Sequence, residues 1–484
     1  MHGRSDLEAY ARSTWRSFER LVEPQSGLPA DYIGADLSAA TRAAYTSPTD
    51  IAMYLWATLA ARDLCILPNE AAVRRLGAAL ESLSALERHE ATGQFYNWYD
   101  VATLDTLTRW PEPPHAPVHP FASSVDNGWL ASALVMIANA VPALAERAWQ
   151  LALSMNFRSF YDAHAKGAGP GPLRGGFWPR GAEPPGSETL PRDDYAGTGE
   201  SVVYTAHHYG AFNAETRIAS YLAIALGQLP PEHYFAPFRT FPDLEGWAQK
   251  ARPSGHWRSY HGVDVFEGAY EYRGRRLLPT WGGSMFEALM PALVVPERRW
   301  GQRSWALTHP LYVQAQIEFG LEEARYGYWG FSPALDPAGG YREYGVPALG
   351  MDPLGYAADA ERRTLLYTGP DASVAGQRDY GAGIVTPHAV FLALEFAPEA
   401  ALENLAALRR NFPALYGAGG FRDSVNVVTG SVAERYLALD QGMVLAAIGN
   451  RLLADRLQGY LARTLEPAIE PLMACEEFSV GRCC

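Results

Sequence analysis

The sequence predicts an all-α fold of the (α/α)6 toroid type, in which a ring of buried helices is surrounded by more exposed ones. Apolar residues recur at helical spacing along most of the chain, and strand-like alternation is scarce apart from short pieces such as SVVYTAHHY. The helical segments are of two alternating kinds, one apolar around most of its circumference and one charged on one side. The first kind indicates a buried helix and the second an outer one.

The two kinds follow each other in pairs along the chain. The segments predicted to be buried are 50–64, 125–140, 213–229, 283–295, 387–396 and 437–453. The segments predicted to form the outer layer are 70–88, 142–155, 304–324 (broken at Pro310), 399–412 and 455–465, with a weak third partner near PPEHYF. A further helix, 5–21, would close the ring.

Residues that start helices support several of these segments. Ser47 and Thr386 each precede a proline, which is typical of a capping hydroxyl followed by a first-turn proline. Ser123 or Ser124 is placed to cap the buried helix 125–140. These signals agree with the helix starts that the apolar periodicity predicts.

The lengths of the connections indicate where the function lies. A buried helix is joined to its outer partner by only a few residues, whereas the return connections are long: 89–122, 156–212, 235–282, 325–385 and 413–436. Buried helices in such a ring run parallel, so the long loops emerge on the face where those helices begin. Long ordered loops in compact domains usually carry function, so we expect the site on this face.

The Gly- and Pro-rich stretches lie within these loops and do not mark linkers, so the sequence predicts one domain over residues 1–470. We expect the tail 471–484 to be frayed. The four cysteines (Cys65, Cys475, Cys483, Cys484) match no zinc-binding spacing, and the adjacent His207 and His208 would point apart. We therefore expect no metal site and no cofactor.

Charge restricts the partner. Among 484 residues, 40 Lys and Arg stand against 53 Asp and Glu, a net charge of −13. This balance argues against nucleic acid and against an anionic membrane surface, since both select for a basic face. We expect a monomer with a neutral partner. No signal peptide and no membrane-spanning stretch are visible, which predicts a cytoplasmic protein, or a periplasmic or secreted one if a leader has been removed.

Polar residues recur where the buried helices begin. They are Thr49 with Asp50, Asp126 with Asn127, Asn213 with Glu215, Glu287, His388, and Asp440 with Gln441. Each acid taken alone is explained as a helix cap, because helix N-termini favour negative side chains. Their convergence on one axis would instead form a cleft, and the long loops add aromatic residues to it in stretches such as FYNWYD and LPTWGGSMFE.

A cleft lined by aromatic and carboxyl side chains suits a neutral sugar, because rings stack on aromatic faces and carboxylates accept hydrogen bonds from hydroxyls. Glycosidic cleavage needs two carboxyl groups across such a cleft: a protonated acid for the leaving oxygen and an ionised one that activates water or attacks carbon. No GxSxG, P-loop or dinucleotide-binding fingerprint is present in the required context.

The motifs resemble those of the bacterial glucoamylase-like domain family related to glycoside hydrolase family 144, the β-1,2-glucanase group. The similar stretches span residues 46 to 443 and are TSPTDIAMYLWATLAARDL, FYNWYD, SSVDNGWLASAL, FNAETRIASYLAIALGQLPPEHYF, TWGGSMFEALMP, VTPHAVFLAL, GGFRDSVN and LALDQGMV. The resemblance implies an (α/α)6 barrel that hydrolyses a β-linked glucan, with β-1,2-glucan or its oligosaccharides favoured.

The resemblance matches Asp100, Asp126 and Glu215 to the acids of the family's cleft. We predict that Glu215 is the proton donor and Asp126 the base of an inverting reaction, with Asp100 tuning or replacing one of them. The predicted substrate-binding residues are Trp98, Asn127, Trp129, Asn213, Arg217, Trp281, Glu287, Trp329, Glu343 and Asp440.

Two alternatives remain open at this point. A polysaccharide lyase of the same toroid would use His207, His208, Tyr209 and Arg217, although the acidic balance disfavours a uronate substrate. A glycan-binding protein without activity would use the same acids only as caps and hydrogen-bond acceptors.

Overall fold

The structure is a computed structural model, and it describes residues 2–163, 165, 170–193, 201–241, 249–352 and 383–482. Three of the predicted long connections, 156–212, 235–282 and 325–385, therefore lie partly outside the described residues, as do Cys483 and Cys484 of the predicted tail.

Helices dominate the described residues, which confirms the mostly helical part of the predicted all-α fold. They are α1 His2–Leu21, α2 Pro48–Asp63, α3 Asn69–Ala85, α4 Ser124–Ala140, α5 Ala145–Ser154, α6 Arg217–Ala225, α7 Met285–Leu289, α8 Glu297–Trp300, α9 Trp305–Glu318, α10 Pro387–Leu392, α11 Pro398–Asn411, α12 Ala438–Leu453 and α13 Arg456–Cys475. Every predicted helical segment coincides with at least one of them. The weak partner near PPEHYF is a short 3-10 helix, Pro231–Phe235.

The buried helices contact one another in series. Helix α2 packs between α12 and α4, α4 contacts α6, and α10 contacts both α7 and α12. Between α6 and α7 the link is made by the Arg217 guanidinium, which donates to the carbonyl oxygens of Glu287 and Ala288 at 3.0 and 2.7 Å. This order of contacts is consistent with an (α/α)6 barrel.

Helix starts follow local sequence in two of the three predicted cases. Ser47 forms a capping box with Asp50 at α2, and Ser123 accepts a hydrogen bond from the amide of Asp126 at α4. At α10, Thr386 occupies the cap position, but its side chain makes no capping hydrogen bond. Its hydroxyl instead points to the carbonyl of Gly330, 3.5 Å away.

The predicted break at Pro310 does not occur, because α9 continues through this residue. A proline inside a helix removes one backbone hydrogen bond and costs stability. Trp305, His309 and Tyr312 around it are fully buried, so packing of this face against the core maintains the helix across the proline.

The C-terminal region differs from its prediction in two ways. Helix α13 is longer than the predicted outer segment and packs against α4, α6 and α8. The predicted frayed tail is ordered through Arg482, because Glu476 and Phe478 are buried and residues 481–482 pair with a strand. The buried Glu476 accepts hydrogen bonds from Tyr234 and Arg239, which ties the tail to the body.

Short strands lie in the loops. They are β1 Tyr32–Gly34, β2 Tyr45–Thr46, β3 Tyr99–Asp100, β4 Ala122–Ser123, β5 Gly176–Pro179, β6 Arg192–Asp193, β7 Val202–Tyr204, β8 Ser254–Tyr260, β9 Val263–Tyr272, β10 Arg275–Leu277, β11 Ala334–Leu335, β12 Tyr341–Arg342, β13 Ile384–Val385, β14 Tyr416–Gly417, β15 Gly420–Phe421, β16 Val425–Asn426, β17 Arg435–Leu437 and β18 Gly481–Arg482. The antiparallel sheet β18-β10-β9-β8 was not predicted, although VDVFEGAYEY carries part of the alternation that indicates a strand.

Four of these strands position the start of an inner helix. Strands β2, β4, β13 and β17 end directly before α2, α4, α10 and α12, and each pairs with a strand from another loop: β3, β5, β16 and β1. The long loops are therefore attached to the ends at which the inner helices begin. In the part of the chain that the structure describes, no helix has the length and apolar character needed to cross a membrane.

Candidate active site

The first turns of α2 and α4 are joined by a hydrogen bond between side chains. The hydroxyl of Thr49 donates to Oδ1 of Asp126 at 2.5 Å. Asp126 lies in the first turn of α4 and remains partly exposed to solvent.

Glu215 precedes α6 by two residues and is also partly exposed at its surface. The surrounding protein desolvates its carboxyl group, and this burial, followed by the negative charge of Glu287, raises its pKa to about 8. The charge of Asp126 raises this pKa further, which places the two carboxyl groups within electrostatic reach of each other. Glu215 therefore keeps its proton at neutral pH, within electrostatic reach of an acid at the start of a different helix.

Two more carboxyl groups adjoin this pair. Burial raises the pKa of Asp31 to about 7, and a hydrogen bond joins its carboxyl to that of Asp50. Burial and the charge of Asp31 raise the pKa of Asp50 well above its usual value, and the charge of Asp126 contributes in the same direction. Like charges this close favour retention of a proton between them.

Aromatic side chains surround the Asp31 side of this face. The ring of Trp98 packs 5.6 Å from Tyr45 and 5.4 Å from Trp110. Trp98, Trp110 and Tyr341 are partly exposed around this aromatic cluster. On another loop, Trp281 is partly exposed and packs at 6.0 Å from Phe241. Trp98 and Trp281 keep the exposure that a stacking surface for sugar rings requires.

Arg217 lies away from solvent, which argues against its predicted role in substrate binding. Its side chain is 1% exposed and forms a bidentate pair with Glu297 at 2.6 and 2.9 Å. Burial alone would raise the pKa of Glu297, but the charge of Arg217 and a hydrogen bond from His309 lower it to about 2. This ion pair holds α6 against α7 and α8.

Glu287 is also buried, and its carboxylate is hydrogen-bonded within the protein. Its carboxylate accepts hydrogen bonds from the backbone amides of Trp281, Gly282 and Ser284 and from the hydroxyls of Thr280 and Ser284, at 2.8–3.2 Å. It is the acid of a capping box at α7 and is 5% exposed. Burial raises its pKa, and the donors oppose that effect. The structure supports capping over the predicted contact with substrate.

Four further residues predicted to bind substrate are enclosed by protein. Asn127 bonds through its amide to both backbone groups of Phe95, and Asn213 donates to the carbonyl of Leu278. Trp129 is 1% exposed and packs edge-on against Trp56. Trp329 is 2% exposed, and its carbonyl accepts from Asn404. Their apolar or amide surfaces are used in packing, so a sugar has no access to them.

Asp100 and Glu343 remain at the surface of the loops. Oδ1 of Asp100 accepts from the amides of Ala102 and Thr103 at 2.9 and 2.8 Å, which closes a turn after β3. This bonding indicates a positional role for Asp100 and gives no support to its predicted part in proton transfer. Glu343 is half-buried, and its charge acts on the neighbouring Tyr341.

Asp440 belongs to a separate buried cluster. Its Oδ1 lies 3.2 Å from Nδ1 of His388, and Asp423 Oδ1 lies 3.9 Å from the same nitrogen. Burial lowers the pKa of His388 to about 4 and raises that of Asp440 to about 7. Asp440 is 2% exposed, so it does not line the open part of the site as predicted.

Sequence reasoning missed Asp31, which adjoins the acids of α2 and α4, and Asp423, which belongs to the buried cluster with Asp440. Both come next to a carboxyl of an inner helix only through long-range contacts, Asp31 with Asp50 and Asp423 with Asp440. The capping role of Glu287 had a local signal, because Ser284 precedes it by three residues in the S-x-x-E pattern.

A cavity of about 1030 Å³ lies at the other end of the inner helices, where α12 finishes and α13 begins. It is lined by Arg298, Arg299, Arg451, Arg456 and Arg463 together with Glu395 and Asp455. Burial, with the charge of Asp455, raises the pKa of Glu395 to about 7. Positive charges dominate this cavity, which distinguishes it from the acidic and aromatic face that carries Asp126 and Glu215.

Two family models match the chain in separate regions. Residues 249–461 match the family described as "Putative glucoamylase", and residues 9–167 match a family of unknown function, DUF3131. The cyclic β-(1,2)-glucan synthase NdvB of Rhizobium meliloti (strain 1021) is 32% identical over 277 residues, which cover 54% of this chain. The chain matches 8% of the length of that synthase.

Solved structures share the fold over nearly the whole chain. An endo-β-1,2-glucanase from Chitinophaga pinensis in complex with sophorotriose and glucose has a TM-score of 0.64 at 15% identity, with 98% of each chain covered. An endo-β-1,2-glucanase from Talaromyces funiculosus in complex with sophorose has a TM-score of 0.65 at 12% identity, covering 97% of this chain and 88% of the other. At these identities the similarity concerns the fold. Together with the family match, it confirms the predicted resemblance to the glucoamylase-like family.

Proposed function

We propose that this chain is a glycoside hydrolase that cleaves a β-linked glucan by general acid–base catalysis, with β-1,2-glucan as the favoured substrate. The observation that carries the proposal is the contrast between two neighbouring carboxyl groups. Glu215 has a pKa raised to about 8 and so keeps its proton at neutral pH. Asp126 lies within its electrostatic reach, on another helix, and is partly hydrated.

In the proposed reaction, Glu215 donates its proton to the glycosidic oxygen as the bond from that oxygen to the anomeric carbon breaks. Asp126 accepts a proton from a water molecule, whose oxygen attacks the anomeric carbon from the opposite side. Glu215 is left as a carboxylate and Asp126 as a carboxylic acid, and exchange with solvent restores both. This course inverts the anomeric configuration and requires the two carboxyl groups to stand about 6.5–9.5 Å apart.

The proposed site is the face of an (α/α)6 toroid on which the inner helices begin. Support comes from the strands that attach the long loops to the starts of α2, α4, α10 and α12. We propose Trp98 and Trp281 as stacking surfaces, because both combine a large ring with partial exposure. Glu343 is a further candidate for hydroxyl recognition, since it is half-buried beside Tyr341.

The β-1,2 linkage is favoured by the relatives. The synthase that shares 32% identity is named for a cyclic β-(1,2)-glucan, and structural neighbours are endo-β-1,2-glucanases. A lyase has less support, because Arg217, the arginine it would use to neutralise a uronate, is buried in a pair with Glu297.

The test is incubation of the protein with β-1,2-, β-1,3-, β-1,4- and α-glucans, followed by chromatography of the products. We expect new reducing ends from the β-1,2-glucan, with the size distribution distinguishing endo from exo action. Products that absorb near the ultraviolet edge would indicate a lyase instead. If no glucan is cleaved, or if Glu215→Gln and Asp126→Asn both leave reducing-sugar release unchanged, the proposal is incorrect and a binding role gains support.

A further inference from the structure

Three potential metal ligands from separate segments meet at one buried point. His388 is the second residue of α10, Asp440 lies in the first turn of α12, and Asp423 follows β15. One ligand atom from each residue lies within 4.8 Å of the other two. The residues are 3%, 2% and 1% exposed in that order, so the cluster is closed to bulk solvent.

Each residue of the cluster has a buried polar atom without a hydrogen-bond partner. These atoms are Nδ1 of His388, Oδ1 of Asp423 and Oδ2 of Asp440. Although Nδ1 lies 3.2 Å from Oδ1 of Asp440, the two atoms are not aligned for a hydrogen bond. Buried polar side-chain atoms nearly always have a partner. When one of them is protonated, the carboxyl groups of Asp423 and Asp440 form a hydrogen bond with each other. A cation between the two carboxylates would replace that shared proton and would also satisfy Nδ1 of His388.

The spacing of these atoms suits a single small cation. Nitrogen and carboxylate oxygen ligands stand about 2.0–2.2 Å from zinc, which separates two ligands of a tetrahedral site by about 3.4 Å. Nδ1 of His388 lies 3.9 Å from Oδ1 of Asp423 and 3.2 Å from Oδ1 of Asp440, the other oxygen of the carboxyl group whose Oδ2 is unsatisfied. One oxygen of each aspartate therefore lies near the separation that a shared cation requires.

The other contacts of Asp423 orient its carboxylate. Oδ2 accepts a hydrogen bond from the amide of Leu335, which leaves Oδ1 for the shared point. A hydrogen bond to the remaining atom of a metal ligand is the usual way in which proteins fix its direction. The two carboxylates also supply the negative charge that a divalent cation requires.

We propose that His388, Asp423 and Asp440 bind one divalent transition-metal cation, Zn²⁺ or Mn²⁺. One imidazole nitrogen with two carboxylate oxygens is a ligand set that both ions accept. The site departs from the absence of metal that the sequence predicts, since its three members stand 17 or more positions apart along the chain.

The bound cation would act as a cross-link. It joins the start of α10, the start of α12 and the loop that follows β15, and through Leu335 it reaches the loop with β11. The ligands belong to other segments than Asp126 and Glu215. Metal binding is measured by calorimetry and hydrolysis by reducing-sugar release, so failure of one proposal can be distinguished from failure of the other. Sugar hydroxyls are poor alternative ligands, because the unsatisfied atoms are inaccessible to solvent.

Metal binding is measured on the tag-free chain, dialysed against a chelator and then titrated with ZnCl₂ or MnCl₂ alone by calorimetry, with elemental analysis of the washed protein. We expect one equivalent in the unmodified chain and a rise in its unfolding temperature when the metal is added. His388→Gln, Asp423→Asn and Asp440→Asn should each weaken binding at least tenfold and abolish that rise.

The matched control is His208→Gln, which removes a partly exposed histidine paired with Asp162 at 2.9 Å and should bind metal as the unmodified chain does. Circular dichroism identifies any variant that fails to fold. If Asp423→Asn fails to fold, His388→Gln, which replaces the imidazole with an uncharged side chain of similar volume, carries the test together with Asp440→Asn. Absence of binding in the unmodified chain overturns the inference. Equal binding in His388→Gln and in the control also overturns it, because the metal would then bind elsewhere on the protein. If no metal binds, a proton shared between Asp423 and Asp440 accounts for the cluster.

Discussion

Glu215 and Glu287 stand at the starts of neighbouring inner helices, yet their surroundings have opposite chemical consequences. Glu287 is enclosed and accepts hydrogen bonds from three backbone amides and two hydroxyls. Glu215 is partly exposed, and burial of its carboxyl together with the charge of Glu287 raises its pKa to about 8. One glutamate caps a helix, and the other holds a proton.

The comparison shows that position at a helix start does not by itself define an acid's role. A carboxylate surrounded by hydrogen-bond donors is stabilised in its ionised form, and its oxygens have no acceptor position left for a substrate hydroxyl. A carboxyl near other negative charges, with few donors, keeps its proton and can transfer it. Arg217 shows the same dependence on surroundings. It follows Glu215 by only two residues, yet its charge is paired with that of the buried Glu297.

The largest effect on activity is expected from Glu215→Gln, which tests whether Glu215, unlike Glu287, is the proton donor. Gln keeps the shape of the side chain but has no acidic proton, so we expect kcat on the cleaved glucan to fall about 10²–10⁴-fold. In the unmodified enzyme, activity should decline as pH rises through about 8, where Glu215 loses its proton. Reducing-sugar release across pH measures both effects. Loss of less than tenfold in kcat would rule out Glu215 as the proton donor.

Arg217→Met should affect stability. The substitution removes the charge that balances the fully buried Glu297, so we expect the free energy of unfolding to fall by about 3–5 kcal/mol. Urea unfolding measures it, with Arg342→Met as the control, since Arg342 is exposed and stands 3.9 Å from Asp336. The control should change stability by less than about 1 kcal/mol. Equal changes in the two variants would show that the Arg217 pair contributes little.

Glu215→Gln should also stabilise the protein at neutral pH. The pKa of Glu215 is raised from 4.5 unfolded to about 8 folded, so the folded state binds more protons and loses stability as pH rises between these values. Gln removes this loss and should raise the free energy of unfolding by about 3 kcal/mol at pH 7, with little change at pH 4.

Urea unfolding at the two pH values tests this dependence. Glu434→Gln serves as the control because the Glu434 side chain is 81% exposed. A stabilisation that is the same at both pH values would argue against a raised pKa at Glu215.

Glu287→Gln should have the smallest effect. One end of the new amide would face N–H donors, so we expect a loss of about 2 kcal/mol in the free energy of unfolding. Because the charge of Glu287 helps to raise the pKa of Glu215, the alkaline limit of activity should move to lower pH in this variant. Thermal unfolding and the pH profile measure the two effects. An unmoved alkaline limit would show that burial alone sets the pKa of Glu215.

Part of the site could be predicted from local patterns. Ser47 with Asp50 and Ser284 with Glu287 form capping boxes that are visible as residues three apart. The exposure of the predicted stacking residues could not be predicted in this way. Trp98 and Trp281 are partly exposed, whereas Trp129 and Trp329 are buried. Nothing in the neighbouring sequence separates these two pairs, since exposure depends on which distant elements cover each ring.

The sequence by itself determined where helices form and which of them are buried, because those properties depend on the periodicity of apolar side chains within one segment. Only the tertiary structure decided which polar residues face solvent, which form hydrogen bonds or ion pairs inside the protein, and which lie close to one another at the site. Thr49 reaches Asp126 across 77 positions, and Arg217 reaches Glu297 across 80. The protonation of a carboxyl group depends on the charges and donors within a few ångströms, and the fold brings those together from distant parts of the chain.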